Sequence, residues 1–145
     1  MPRKELKIVS FDPRDLLMLN LQDDQDHIKP LLSNPSYGGT LVESGPAFSG
    51  YSDGKPVACI GVHQIEDHKG CAWALMSKNS GPYMFAITRH VKAFLDSCGL
   101  MRVEAGVSVD FELAIRWAEI LGFKQEGRMT KYFPDGSDAY LYARV

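Results

Sequence analysis

Residues 99–123 read Gly99-Leu100-Met101-Arg102-Val103-Glu104-Ala105-Gly106-Val107-Ser108-Val109-Asp110-Phe111-Glu112-Leu113-Ala114-Ile115-Arg116-Trp117-Ala118-Glu119-Ile120-Leu121-Gly122-Phe123, and the fold is decided here. Arg102 to Val107 has the short, β-branched character of a strand. Asp110 stands where a carboxylate can accept the first free amides of a helix. Leu113, Trp117, Ile120 and Leu121 recur at three- and four-residue spacings, which predicts one apolar helix side. Gly122 stops that helix by taking a left-handed conformation. Phe123 then opens a strand and buries its ring.

Outward toward the C-terminus, two strands are predicted, about Lys124 to Tyr132 and Ala139 to Arg144, split by the turn Pro134-Asp135-Gly136. Outward toward the N-terminus, Ser80-Gly81-Pro82 opens a long helix with Ser80 as a possible cap. Its buried face is predicted as Phe85, Ile87, Val91, Phe94 and Leu95, and Cys98-Gly99 ends it. Before it lies a three-strand meander: Ala47 to Ser52, a turn at Asp53-Gly54, Pro56 to Gln64, a polar turn from Glu66 to Gly70, and Cys71 to Met76. The first segment predicts a strand over Leu6 to Phe11 and a helix starting at Asp12-Pro13, with Leu16, Leu17, Leu19 and Leu21 on its apolar side. A second short helix is expected over Asp24 to Leu32, weakened by Pro30, and then a loop over Asn34 to Gly39 by its breakers. The order is that of an α/β domain with a mixed (α+β) sheet, antiparallel first, with a crossover helix before the later strands.

Bulk properties fit one domain spanning 1–145. The chain is 45% hydrophobic and 23% charged, which is ordinary globular composition, and its formal net charge of −2 argues against a protein held to nucleic acid mainly by phosphate contacts. No stretch is apolar for long enough to cross a bilayer, and the N-terminus runs straight into a strand-like segment without a signal-peptide core. Cys59, Cys71 and Cys98 have no metal or redox spacing and are expected as reduced thiols in a cytoplasmic protein. His63 and His68 have no third ligand at a useful spacing, so no metal site is expected.

The ungapped run from Gly99 to Phe123 is similar to the strand–helix–Gly-Phe segment of the GNAT N-acetyltransferases. Glu112, Ala114, Ile115, Arg116, Glu119, Leu121, Gly122 and Phe123 stand where that family commonly has these residues. Tyr132 through Asp135-Gly136 to Ala139-Tyr140-Leu141 resembles its last hairpin. The resemblance implies the GNAT acyl-CoA N-acyltransferase fold, with splayed central strands, and transfer of an acetyl or acyl group from acetyl-CoA to a small-molecule or protein amine. A vaguer likeness is to GNAT-like internal virion proteins of short-tailed phages. It is carried by Gly54-Lys55-Pro56-Val57-Ala58-Cys59-Ile60-Gly61 and Cys71-Ala72-Trp73-Ala74-Leu75. It implies a non-catalytic structural or accessory protein with virion partners.

The resemblance also implies where the site lies, and the residues depart from the family there. Cofactor contacts are implied at Leu75, Met76, Lys78, Gly81, Tyr83, Met84 and Phe111. The family's glycine-rich loop cradles a pyrophosphate on backbone amides at a helix start. Here the stretch is Asn79-Ser80-Gly81-Pro82-Tyr83-Met84: one glycine, a proline without an N–H, and a Met side chain expected to obstruct close approach. Phe111 replaces the family's usual Asn. Ala118 replaces a frequent Tyr, five residues before Phe123, and cannot donate a proton. A base for the amine would be Glu104, His63 or Asp110, which are more ordinarily a solvent-facing strand residue, a hairpin residue and a helix cap. Tyr83, Tyr132 and Tyr140 are candidate acids, although most tyrosines are packing residues.

Overall fold

The computed structural model describes residues 5–21 and 35–145. The expected helix over Asp24 to Leu32 lies outside them. Among the described residues, seven strands form one sheet in the order β1-β2-β3-β4-β5-β7-β6. They are β1 (Lys7–Ser10), β2 (Ala47–Ser52), β3 (Lys55–Glu66), β4 (Lys69–Met76), β5 (Arg102–Ser108), β6 (Lys124–Met129) and β7 (Ala139–Arg144). All neighbours are antiparallel except β4 and β5, which run parallel. A parallel neighbour needs a crossover, and the long helix supplies it. The helices are α1 (Asp15–Met18), α2 (Pro35–Glu43), α3 (Met84–Ser97, entered through a 3-10 turn at Gly81–Tyr83) and α4 (Glu112–Ile120).

Each face of the sheet has its own core. On one face α3 lays Ile87, Val91 and Leu95, four residues apart, against Ile60, Val62, Val103 and Val107, and α4 adds Ala118 and Leu121 beside Phe123. On the other face Leu16, Leu19, Leu21 and Leu41 cover Cys59, Leu75 and Phe11, with Trp73 packed alongside. Burying one such side chain stabilises by roughly 1.5–3 kcal/mol. The indole N–H of Trp117 donates to Thr88 Oγ1 at 2.9 Å and ties α4 to α3.

Several expectations are corrected. Pro35 to Gly39 is not loop but the first half of α2. Proline fits a first helical turn, and the cost of two glycines is offset once Leu41 docks on the sheet. Leu17, Phe85, Leu113 and Ile120 are exposed rather than buried. On α4 the stripe that meets the core is Ala114, Ala118 and Leu121, turned by one residue, about 100°, from the exposed Leu113 and Ile120. Asp110 does not cap α4: the N-cap is Phe111, whose carbonyl accepts the Ile115 amide at 3.1 Å, and no side chain caps it. Ser80 likewise precedes the 3-10 turn without a side-chain cap. The hairpin turn between β3 and β4 is tighter than expected, with the strands running to Glu66 and from Lys69, while β6 ends at Met129 instead of Tyr132. The expected stops at Gly99 and Gly122 stand, both at positive φ (77° and 96°).

Candidate functional site

The parallel pair sets the geometry. The β4–β5 ladder has only three steps, Lys69↔Arg102, Gly70↔Val103 and Cys71↔Glu104. Beyond Cys71 and Glu104 the two strands part, as the resemblance implies, leaving a wedge that widens toward their C-terminal ends. The helices that follow, α3 after β4 and α4 after β5, both begin at that open end. Their N-terminal partial positive charge therefore faces the mouth.

At the point of parting, three strands place side chains in one row on one face. His63 of β3 lies directly opposite Cys71 of β4, and Cys71 lies beside Glu104 of β5. Strand spacing puts the His63 and Glu104 backbones about 10 Å apart, with Cys71 between. The Glu104 carboxylate accepts from Arg102 Nε at 3.2 Å, and Lys69 Nζ is 4.0 Å away. Arg102 is fixed in turn by a fork to Glu126, at 3.2 and 2.6 Å. Burial, with the Glu104 charge second, pushes the Cys71 thiol up from its ordinary value.

Tyr132 reaches the same row from beyond β6. Its ring lies over Gly106, two residues past Glu104 on β5, where a Cβ would sit 2.9 Å from Tyr132 Cε1. Only glycine leaves room for that seat. Tyr132 is 49% exposed. Burial first, then the nearby Cys71 and Glu104, raises its pKa and keeps the phenol protonated at neutral pH. Trp73, next along β4 on this face, buries an indole N–H that has no hydrogen-bond partner among the described residues.

The structure thus brings Glu104 and Tyr132 together and leaves His63 exposed on the far side of Cys71. Tyr83 is buried and its hydroxyl donates to Ser52 Oγ at 2.7 Å. Tyr140 packs against the core under Arg128, whose guanidinium carbon is 5.9 Å from its ring centre. Asp110 is exposed, and Ala118 is buried in the core, leaving no hydroxyl at that position. Cys71 and Gly106 were not readable as site residues, because only strand register aligns the first with Glu104 and only the fold brings Tyr132 over the second.

The expected cofactor contacts divide at the mouth. Leu75 and Met76 are buried, one toward each core, and Phe111 is half-buried at the start of α4. Met84 packs against the core rather than standing across the helix start, so its bulk is not the obstruction expected. The obstruction is the backbone itself. The Lys78 amide donates to the Asn20 carbonyl (2.7 Å), Asn79 to Ser77 Oγ (3.2 Å), Ser80 to the Ser77 carbonyl (3.1 Å) and Tyr83 to the Ser80 carbonyl (2.9 Å). The Met84 amide donates to the Gly81 carbonyl, and Pro82 has no amide. Among the described residues, Gly81 is then the one amide from 78 to 84 without a protein acceptor. A phosphate cradle needs several such donors at once.

No family model matches the chain, and no curated protein does. Solved structures do. Ard1 from Thermoplasma volcanium is similar at 19% identity over 97% of each chain, with a TM-score of 0.77. An acetyltransferase of the GNAT family from Bacillus anthracis is 19% identical, covering 98% of this chain and 96% of its own, with a TM-score of 0.68. The ribosomal-protein-S18-alanine N-acetyltransferase from Escherichia coli is 20% identical, covering 97% and 93%, with a TM-score of 0.72. Likeness at this identity shows the fold, and the fold is the GNAT acyl-CoA N-acyltransferase fold.

Proposed function

We propose that the chain is an N-acyltransferase that moves an acyl group from a thioester to an amine within the β4–β5 wedge. The observation that carries this reading is the convergence of the Glu104 carboxylate and the Tyr132 hydroxyl on one face, at the point where the two strands part. A bound acyl thioester supplies an activated carbonyl. Glu104 accepts the proton an amine must lose, with Arg102 and Lys69 holding the carboxylate in place. Tyr132, protonated at neutral pH, holds a proton across from it and takes the acid role that Ala118 cannot fill. The alternative is a non-catalytic protein on the same fold, a phage or prophage structural component, and the spent amides at the helix start favour it.

The test is thiol release from acetyl-CoA by the full chain, with a peptide bearing an N-terminal alanine and a set of small primary amines as acceptors. Turnover that falls about a hundredfold in Glu104→Gln and in Tyr132→Phe supports the enzyme, since a positioned acid or base contributes roughly that much. No thiol release with any acceptor favours the alternative.

A further inference from the structure

The wedge concentrates its polar groups at the reacting end and leaves almost no donors for a nucleotide, and we propose that the chain reads its donor as a pantetheine thioester without its nucleotide. This rests on the acyl-transfer reading above. Two independent features carry it. The first is the closed set of amides: of residues 78–84, five donate within the protein and one is proline. The second is the chain segment at the end of β4. Leu21 bridges Ser77, and the Lys78 amide is bonded to Asn20, so the chain's own backbone runs along the strand end that leads into the helix start. These groups are packed as well as bonded, with Leu21 and Ser77 each 3% exposed and Ser80 1%.

A pyrophosphate entering here would have to break those bonds before making its own. Among the described residues, Lys78 just before the helix start and Arg89 on the helix are both exposed. Charges in that position are screened by salt and discriminate weakly. At the other end of the wedge, Cys71, Glu104 and Tyr132 meet around the reacting position regardless of what the thioester's distal end carries. The class of donor is therefore an acyl group on a pantetheine arm, whether free, phosphorylated or borne by a carrier.

The experiment compares the full chain's calorimetric affinity for S-acetylpantetheine, for its phosphorylated form and for acetyl-CoA. Dissociation constants within about threefold of one another are expected, because each lost charge-assisted phosphate bond would otherwise count for roughly tenfold. Tighter binding of the phosphorylated arm than of the free one, with no further gain from the nucleotide, would also support the proposal and point to a carrier-borne arm. A preference for acetyl-CoA of about a hundredfold over both would overturn the inference while leaving the acyl-transfer reading intact. Binding of none of the three would overturn both. Amide resonances provide a second readout: those of Lys78, Asn79, Tyr83 and Met84 should stay in place on adding acetyl-CoA. Large shifts there would equally overturn it.

Discussion

Gly106 carries no functional group, yet it decides where Tyr132 sits. A methyl group at that position would meet the Tyr132 ring at 2.9 Å, inside any real contact distance. The ring is half-exposed and can swing away, so Gly106→Ala should fold with little loss of stability. If Tyr132 works as the acid, Gly106→Ala should cost nearly as much turnover as Tyr132→Phe, about tenfold to a hundredfold. Combining the two should then cost hardly more than either alone. Additive losses would show that Tyr132 acts elsewhere. Glu104 and Tyr132 were both open to sequence reading, because a carboxylate on the strand after the crossover helix and a tyrosine in the closing hairpin are visible in order. Their partners were not. Arg102 also pairs with Glu126, 24 residues away, and such a pair follows from strand register that no local pattern encodes.

Elements were legible in kind more than in phase. The strands of the meander, the crossover helix and the Gly122 stop all stand as the local signals imply, since turn residues and caps act within a few positions. The face of α4 does not. Counting large apolar residues selects Leu113 and Ile120 along with Trp117 and Leu121, whereas packing keeps Trp117 and Leu121 and takes Ala114 and Ala118 in place of the other two. Small residues let a helix lie close on a sheet, and an apolar tally gives them too little weight. Ile120→Lys should therefore leave the melting temperature within a degree or two, because surface changes usually stay within about 0.5 kcal/mol. Trp117 is different. It packs against the core and bonds Thr88. Trp117→Ala should destabilise by about 2–4 kcal/mol, and Trp117→Phe, which keeps most of the ring, by about 1 kcal/mol for the lost hydrogen bond. A thermal melt of the three variants checks the assignment; equal losses in Ile120→Lys and Trp117→Ala would show the helix rotated.

The molecule as a whole is a sheet between two cores, and the smaller core has a polar centre. Asp15, buried at the start of α1, accepts from Ser49 Oγ at 2.6 Å, from the Asp12 amide at 3.1 Å and from the Tyr51 hydroxyl. Ser49 in turn reaches Cys59 Sγ at 3.6 Å. This cluster joins α1 to β2 and β3 and makes the fold sensitive to alkali. The hydrogen bond to Asp15, with burial second, pushes Tyr51 up to about 12, and burial pushes Cys59 up to about 12. Both groups hold their protons more tightly folded than unfolded. Between the ordinary and the raised values the native state thus binds more protons, and stability falls as pH rises. The contribution is whole below about pH 9, where an unfolded cysteine begins to ionise, and it drains away toward pH 12. One such group gives at most about 1.4 kcal/mol per pH unit. Cys71, also raised by burial, adds to the same slope. Urea unfolding should therefore give a flat free energy from pH 7 to about 9 and a steady decline above it. Cys59→Ala should flatten that decline between about pH 9 and 10, and Tyr51→Phe should flatten it only from about pH 10 upward, where a free phenol starts to ionise. Each substitution also lowers the plateau by its own packing cost, so the slope is the quantity to read. An unchanged slope in both variants would mean that these two groups do not govern the alkaline limit of the fold.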